Sequence, residues 1–89
     1  MAYSPSNLSA LAYANGFTLW HYTTPDDDLV VDTTGYFNQA ASMLRVGDFI
    51  FANCSTGGTM ESGVFIVRAN TGGVVDVTNI SPFGLGNTD

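Results

Sequence analysis

The sequence contains no lysine, and its two arginines stand against eight aspartate and glutamate residues, so the formal net charge is −6 at pH 7. A chain with so little positive charge cannot neutralise many phosphates, and we therefore expect no nucleic-acid partner. The sequence also lacks any run of about 18 apolar residues, the length that a membrane-spanning helix needs. Binding to a membrane is not expected either, because no basic amphipathic segment is present.

Cysteine and histidine each occur once, as Cys54 and His21. A single cysteine excludes an intrachain disulfide and any zinc site that needs several cysteines. A single histidine beside Trp20 and Tyr22 is more typical of a structural residue than of acid–base catalysis. The serines lack a Gly-x-Ser-x-Gly context, and the glycine pairs match no phosphate-binding loop. We therefore predict no enzyme activity, no catalytic residue and no cofactor.

The densest charge in the sequence is the run of three aspartates at 26–28. A calcium loop of the EF-hand type needs oxygen ligands at alternate positions and a glutamate at its twelfth position, and this run offers neither. We interpret the run as a solvated turn and assign no metal site to it. Adventitious binding of a cation is the alternative.

Charged side chains make up only 11% of the 89 residues, whereas hydrophobic residues make up 45%. Ordinary soluble domains carry about 25% charged residues. A single domain of this length buries only about 60–65% of its unfolded surface, and without disulfides or a metal its own core is marginal. Association with other chains is the remaining source of stability, so we expect a homo-oligomer.

Turn signals divide the chain into an N-terminal arm (1–16), a β domain (17–80) and a C-terminal tail (81–89). We predict strands over 17–23, 29–31, 49–54, 63–69 and 74–80. Apolar residues at helical spacing predict one short helix over 36–44. The N-terminal arm forms either a two-turn helix or an extended segment. The expected fold class is mainly β: a small antiparallel β-meander barrel or sandwich with one short α-helix and extended terminal arms.

The hairpin formed by the predicted strands 49–54 and 63–69, the central hairpin, is apolar on both faces. A strand with one face exposed to solvent instead alternates apolar and polar residues. Two interpretations stay open: the hairpin lies inside a closed barrel or sandwich, or one of its faces packs against a partner subunit. Either interpretation predicts the same buried residues, which are Phe49, Ile50, Phe51, Phe65, Ile66 and Val67.

Aromatic residues make up 12% of the sequence, more than a small core strictly needs. Packing in the core or at a subunit interface is their common role. Stacking on a sugar ring is the alternative. The residues considered for it are Trp20, Tyr22, Tyr36 and Phe37.

Several segments between residues 20 and 80 resemble small virion proteins of tailed bacteriophages. They are Trp-His-Tyr at 20–22, Gly-Tyr-Phe-Asn-Gln-Ala-Ala at 35–41, Leu-Arg-Val-Gly-Asp-Phe-Ile at 44–50, Gly-Val-Phe-Ile-Val at 63–67 and Gly-Gly-Val-Val-Asp-Val at 72–77. The resemblance is to capsid decoration (cement) and head-fibre proteins. It implies a homotrimeric β domain, made in the host cytoplasm, on the outer surface of the capsid. Its partner there would be the major capsid protein. The alternative is the base or tip domain of a head or tail fibre that binds a host surface glycan.

Neither arm has an evident place in the predicted domain, and exposed apolar residues commonly mark a binding surface. We therefore predict that at least one arm, first of all the N-terminal arm, contacts another copy or the capsid protein. The predicted interface residues are Tyr3, Leu8, Leu11, Tyr13, Phe83 and Leu85.

Overall fold

A mixed sheet of six strands organises the chain in the computed structural model, which describes residues 3–14 and 16–83. The strands are β1 (Leu8–Ala14), β2 (Phe17–Thr23), β3 (Phe49–Cys54), β4 (Glu61–Thr71), β5 (Val74–Val77) and β6 (Ser81–Pro82). They pair in the order β1-β2-β3-β4-β5, and β6 also pairs with β4. The predicted mainly β class with a short helix is confirmed, but the sheet is open and is not closed into a barrel.

Strands β2 and β3 run parallel, with Trp20 opposite Ile50, so the sheet is not a simple antiparallel meander. A parallel pair needs a crossover connection, because the chain must return to the same end of the sheet before the next strand begins. Residues 24–48 make that crossover and lie over one face of the sheet.

The crossover differs from the sequence-based prediction at two places. The segment predicted as a strand at 29–31 belongs to the α-helix Asp28–Val31, whose first turn is capped by the Asp27 carboxylate accepting a hydrogen bond from the Leu29 amide at 3.0 Å. The helix predicted at 36–44 is a 3-10 turn, Asn38–Ala40, flanked by other turns. The apolar stripe that predicted this helix is nevertheless buried, because successive turns repeat at nearly the same spacing.

The core lies between this crossover and one face of the sheet. The buried apolar residues are Tyr3, Trp20, Tyr22, Val31, Phe37, Ala40, Leu44, Ile50, Ala52, Cys54, Phe65, Val67, Val75 and Val77. Asp48, the last residue of the crossover, has a fully buried carboxylate that links the crossover to β2. Its oxygens accept hydrogen bonds from the Thr18 amide (3.0 Å), the Trp20 indole N–H (3.1 Å) and the Arg45 amide (3.0 Å).

The N-terminal arm contributes a strand to the sheet, so of its two predicted forms the described residues adopt the extended one over Leu8–Ala14. Its strand β1 pairs antiparallel with β2, with an irregularity between Ala10 and Ala12. Ahead of that strand, the Tyr3 ring stacks on Tyr22 with centroids 5.6 Å apart. The segment treated as an arm therefore contributes both an edge strand and a core residue.

The chain beyond β5 returns along β4 as the short strand β6. Gly63 permits this close approach, since a Cβ at that position would lie 2.5 Å from the Ser81 carbonyl oxygen. Gly72 and Gly73 form the tight turn between β4 and β5, with φ of 62° and 84°, the positive values that such a hairpin requires.

Candidate functional site

The crossover covers one face of the sheet, and the opposite face is only partly covered by the described residues. We call this opposite surface the open face. Alternation along β3 defines it, because Ile50, Ala52 and Cys54 are buried in the core while Phe49 and Phe51 point the other way. The register places Leu19 of β2 and Val64 and Ile66 of β4 on the same surface.

The apolar side chains of the open face are partly accessible to solvent. Phe49 is 38% exposed, and Leu19, Phe51, Val64 and Ile66 are half-buried. The prediction that Phe49 is buried is therefore wrong for this chain alone, whereas the prediction for Ile50, Phe65 and Val67 is confirmed. Period-two alternation could not reveal this difference, because both faces carry apolar residues.

A row of polar side chains crosses one end of the open face. The Ser62 hydroxyl donates a hydrogen bond to the side-chain oxygen Oδ1 of Asn53 at 2.6 Å, and the side-chain nitrogen Nδ2 of Asn53 lies 3.4 Å from Nε2 of His21. The three residues come from three adjacent strands, so they satisfy one another across the sheet. His21 accordingly has a structural environment, as its position in the sequence predicts.

The predicted interface residues occupy three different environments. Tyr3 is buried in the core of this chain, and Leu8 is partly buried against the same core. Leu11 and Tyr13 are 58% and 65% exposed on β1. The remaining two, Phe83 and Leu85, belong to the C-terminal tail.

Phe83 extends the open face beyond the strands. It is 50% exposed, and its ring lies 6.2 Å from that of Phe51. Leu85, the other predicted residue of the tail, lies outside the described residues. Of the two predicted interface residues in the tail, Phe83 therefore lies on the open face.

The edge of β1 is a second candidate binding surface. This strand pairs with β2 along one side, and no described strand pairs with its other side. An unpaired edge offers amide and carbonyl groups to another strand, and β1 carries no charged residue that would discourage such pairing. Leu11 and Tyr13 lie on this edge strand, so apolar and backbone contacts could form together.

A cluster of carboxylates joins the helix to the start of β4. Oxygens of Asp27, Asp28 and Glu61 all lie within 4.8 Å of one another. The hydrogen bond with Glu61 and partial burial raise the pKa of Asp28 to about 7, whereas the Leu29 amide lowers the pKa of Asp27. The sequence run at 26–28 pointed to this place, but Glu61, distant in sequence, gave no signal. Three carboxylates could hold a cation in chemical terms.

Asp26 belongs to a different environment from its two neighbours. It is buried, and its carboxylate accepts a hydrogen bond from the Tyr36 hydroxyl at 2.6 Å. The prediction of a solvated turn is therefore wrong for Asp26, although Asp27 is exposed. Burial and this hydrogen bond raise the pKa of Tyr36, whose hydroxyl also lies 3.0 Å from that of Tyr22.

Cys54 is the last residue of β3 and is fully buried. Burial and the nearby carboxylates raise the pKa of its thiol to about 12. A nucleophilic cysteine needs the opposite environment, one that favours the thiolate.

Most of the aromatic residues considered for sugar stacking are unavailable at the surface. Trp20, Tyr22 and Phe37 are buried, and Tyr36 is half-buried. They form the aromatic centre of the core, where rings of Tyr22 and Phe37 meet edge to face with centroids 5.3 Å apart. Their common role in packing is therefore the one that the structure supports.

Comparisons with protein-family models, curated proteins and solved structures found no match. The resemblance to phage virion proteins thus rests on the sequence segments alone. Within 3–14 and 16–83, no helix is long and apolar enough to cross a membrane.

Proposed function

We propose that this chain is a structural virion protein: a capsid decoration (cement) protein that binds the outer surface of a phage head as a homo-oligomer, in first place a trimer, and stabilises the shell. The observation that carries the proposal is the edge strand β1, with Leu11 and Tyr13 exposed at 58% and 65%. Two large apolar side chains on an unpaired strand edge favour docking to another protein. The resemblance of the sequence to decoration proteins supplies the identity of that protein, the major capsid protein.

Such a protein acts by mass action. A chain that binds the assembled shell, and not the separated capsid subunits, shifts the equilibrium towards the shell. Neither a catalytic residue nor a cofactor is required. The contact must only be repeated at many equivalent positions, so a modest free energy at each position adds up over the particle.

The fibre-domain alternative has weaker support. A glycan-binding tip needs accessible aromatic rings, and three of the four residues considered for that role are buried. The exposed rings of Tyr13, Phe49 and Phe83 lie on apolar surfaces, and such surfaces suit a protein partner as well as they suit a glycan.

Binding to shells tests the proposal. Heads of the phage that encodes this chain, prepared without it, are mixed with the purified protein and sedimented. We expect saturable binding and a higher melting temperature of the heads. The double variant Leu11→Ser/Tyr13→Ser should bind at least about tenfold more weakly, because burial of each side chain contributes about 1.5–3 kcal/mol.

The matched control is Leu29→Ser, which removes a 70% exposed leucine from the helix. It should bind heads like the wild type, and circular dichroism should show all variants folded. Failure of the wild-type protein to bind heads would contradict the proposed function. Equal binding by the double variant would contradict the role of β1.

A further inference from the structure

We propose that the open face is the surface through which copies of this chain associate, with the sheets of the copies meeting face to face. The inference rests on the homo-oligomer in the proposed function and names the surface that forms it. It does not depend on contact with the capsid protein, which involves the edge of β1 in the proposed function.

The apolar content of the open face argues for a protein cover. Phe49 and Phe83 are 38% and 50% exposed, and Leu19, Phe51 and Ile66 surround them half-buried. Five strands about 4.8 Å apart and about 20 Å long give the face an extent of roughly 500 Å². Specific complexes bury about 800 Å² on each partner, so a single pair of open faces is smaller than a typical stable interface and we expect weak association.

The distribution of charge selects another copy as the occupant. Two chains of net charge −6 repel each other wherever carboxylates meet. On the helix side of the sheet, Asp27, Asp28 and Glu61 form such a concentration. The open face instead carries apolar residues, and the carboxylate at its β5 end, Asp76, lies 3.7 Å from the guanidinium of Arg68. Two copies can therefore meet there without bringing unbalanced carboxylates together.

The polar residues on the open face are compatible with burial. Ser62, Asn53 and His21 form the row described above, in which the side chains contact one another at 2.6 and 3.4 Å. Buried polar groups are costly when they have no partner, and this row already supplies partners within one chain. Covering the face would therefore bury apolar area while each of these three residues keeps a hydrogen-bond partner in its own chain.

Sheet geometry allows two closed arrangements of such faces. Two copies form a sandwich with sheets about 10 Å apart. Three copies around a three-fold axis direct their faces inward as the sides of a prism, which corresponds to the proposed trimer. In both arrangements Phe49 lies near the centre of the contact, because β3 is the middle strand of the order β1 to β5.

Sedimentation velocity of the purified protein between about 1 and 500 µM tests the inference. We expect the wild type to change from monomer to trimer, or to dimer, across this range. Phe49→Asp places a carboxylate at the centre of the face and should raise the dissociation constant at least tenfold. Leu29→Asp adds the same charge on the helix, and it should raise the dissociation constant less than threefold.

A second variant, Phe83→Asp, guards against a folding defect at Phe49, since Phe83 lies beyond the last strand. It should also weaken association while circular dichroism stays unchanged. A wild type that remains monomeric at 500 µM would overturn the inference. So would Phe49→Asp and Phe83→Asp variants that both associate as tightly as the wild type. Monomers that still bind heads would remove the homo-oligomer but leave binding to the shell standing. Oligomers that bind no heads would remove the proposed function and leave this inference.

Discussion

Replacement of Asp48 by asparagine removes one hydrogen-bond acceptor from the point where the crossover rejoins the sheet. The carboxylate is fully buried, and its two oxygens accept three N–H groups, from Thr18, Trp20 and Arg45. An asparagine of the same shape keeps a single acceptor oxygen. Its amide group must then face at least one of those N–H donors.

The expected cost follows from this count. A hydrogen bond to a charged acceptor contributes about 1.5–3 kcal/mol, and a buried donor left without a partner costs about 1–3 kcal/mol. We therefore expect Asp48→Asn to lower the free energy of unfolding by about 2–4 kcal/mol. The free energy of unfolding of a domain of this size is about 5–13 kcal/mol, so the variant should still fold but should be much less stable than the wild type.

Urea unfolding followed by fluorescence measures the change directly, because Trp20 is the only tryptophan and its indole contacts Asp48. The matched control is Asp76→Asn, which removes the same charge at a surface pair with Arg68 and should cost less than about 1 kcal/mol. Equal midpoints for Asp48→Asn and the wild type would refute the reasoning, since they would mean that the buried acceptor contributes nothing.

Three further predictions concern packing, pH and thiol reactivity. Phe65→Ala should cost about 3–5 kcal/mol in urea unfolding, and Phe51→Ala clearly less, because Phe65 is fully buried and Phe51 is not; equal costs would mean that the two faces are not distinct. Because the pKa of Asp28 is raised to about 7, the folded chain binds more protons than the unfolded chain, and the free energy of unfolding should fall as pH rises from about 4 to 7. Asp28→Asn should flatten that slope in urea titrations at several pH values, and an unchanged slope would remove Asp28 as its source. Cys54, whose pKa is raised to about 12, should react with iodoacetamide at pH 8 only as urea unfolds the chain, and labelling at the rate of a free thiol without urea would contradict its burial.

The sequence predicted strands β2 and β3 at their observed bounds because local apolar runs and turn residues define them. It failed at the crossover, where the same residues satisfy two patterns. Leu29-Val30-Val31 is β-branched in character, yet the preceding Asp27 caps a helical turn. Local propensity could not decide between these outcomes, because the parallel pairing of β2 with β3 requires a connection that only the whole fold specifies.

The candidate surfaces were predictable in part. Leu11, Tyr13 and Phe83 are apolar residues outside the predicted domain, and all three are exposed. Tyr3 has the same character but reaches the core, because β1 pairs with β2 as far as Tyr22 and the chain ahead of β1 places Tyr3 on the Tyr22 ring. Sequence spacing contains no information on such a path.

The apolar character of both faces of the central hairpin was visible in the sequence, but the answer to which face is covered was not. The long crossover lies on one side only, and its side is a property of the topology. The cluster of Asp28 with Glu61 arises in the same way, from two residues that meet because the helix packs beside the start of β4.

The number of copies of this chain on purified phage particles tests the proposed function most directly. Quantitative mass spectrometry against the major capsid protein gives that number without any assumption about the contact. The account predicts hundreds of copies per particle, in a fixed ratio to the capsid protein, that remain bound when the particles are washed. A few copies per particle would indicate a fibre domain, and complete absence from the particles would contradict a virion protein altogether.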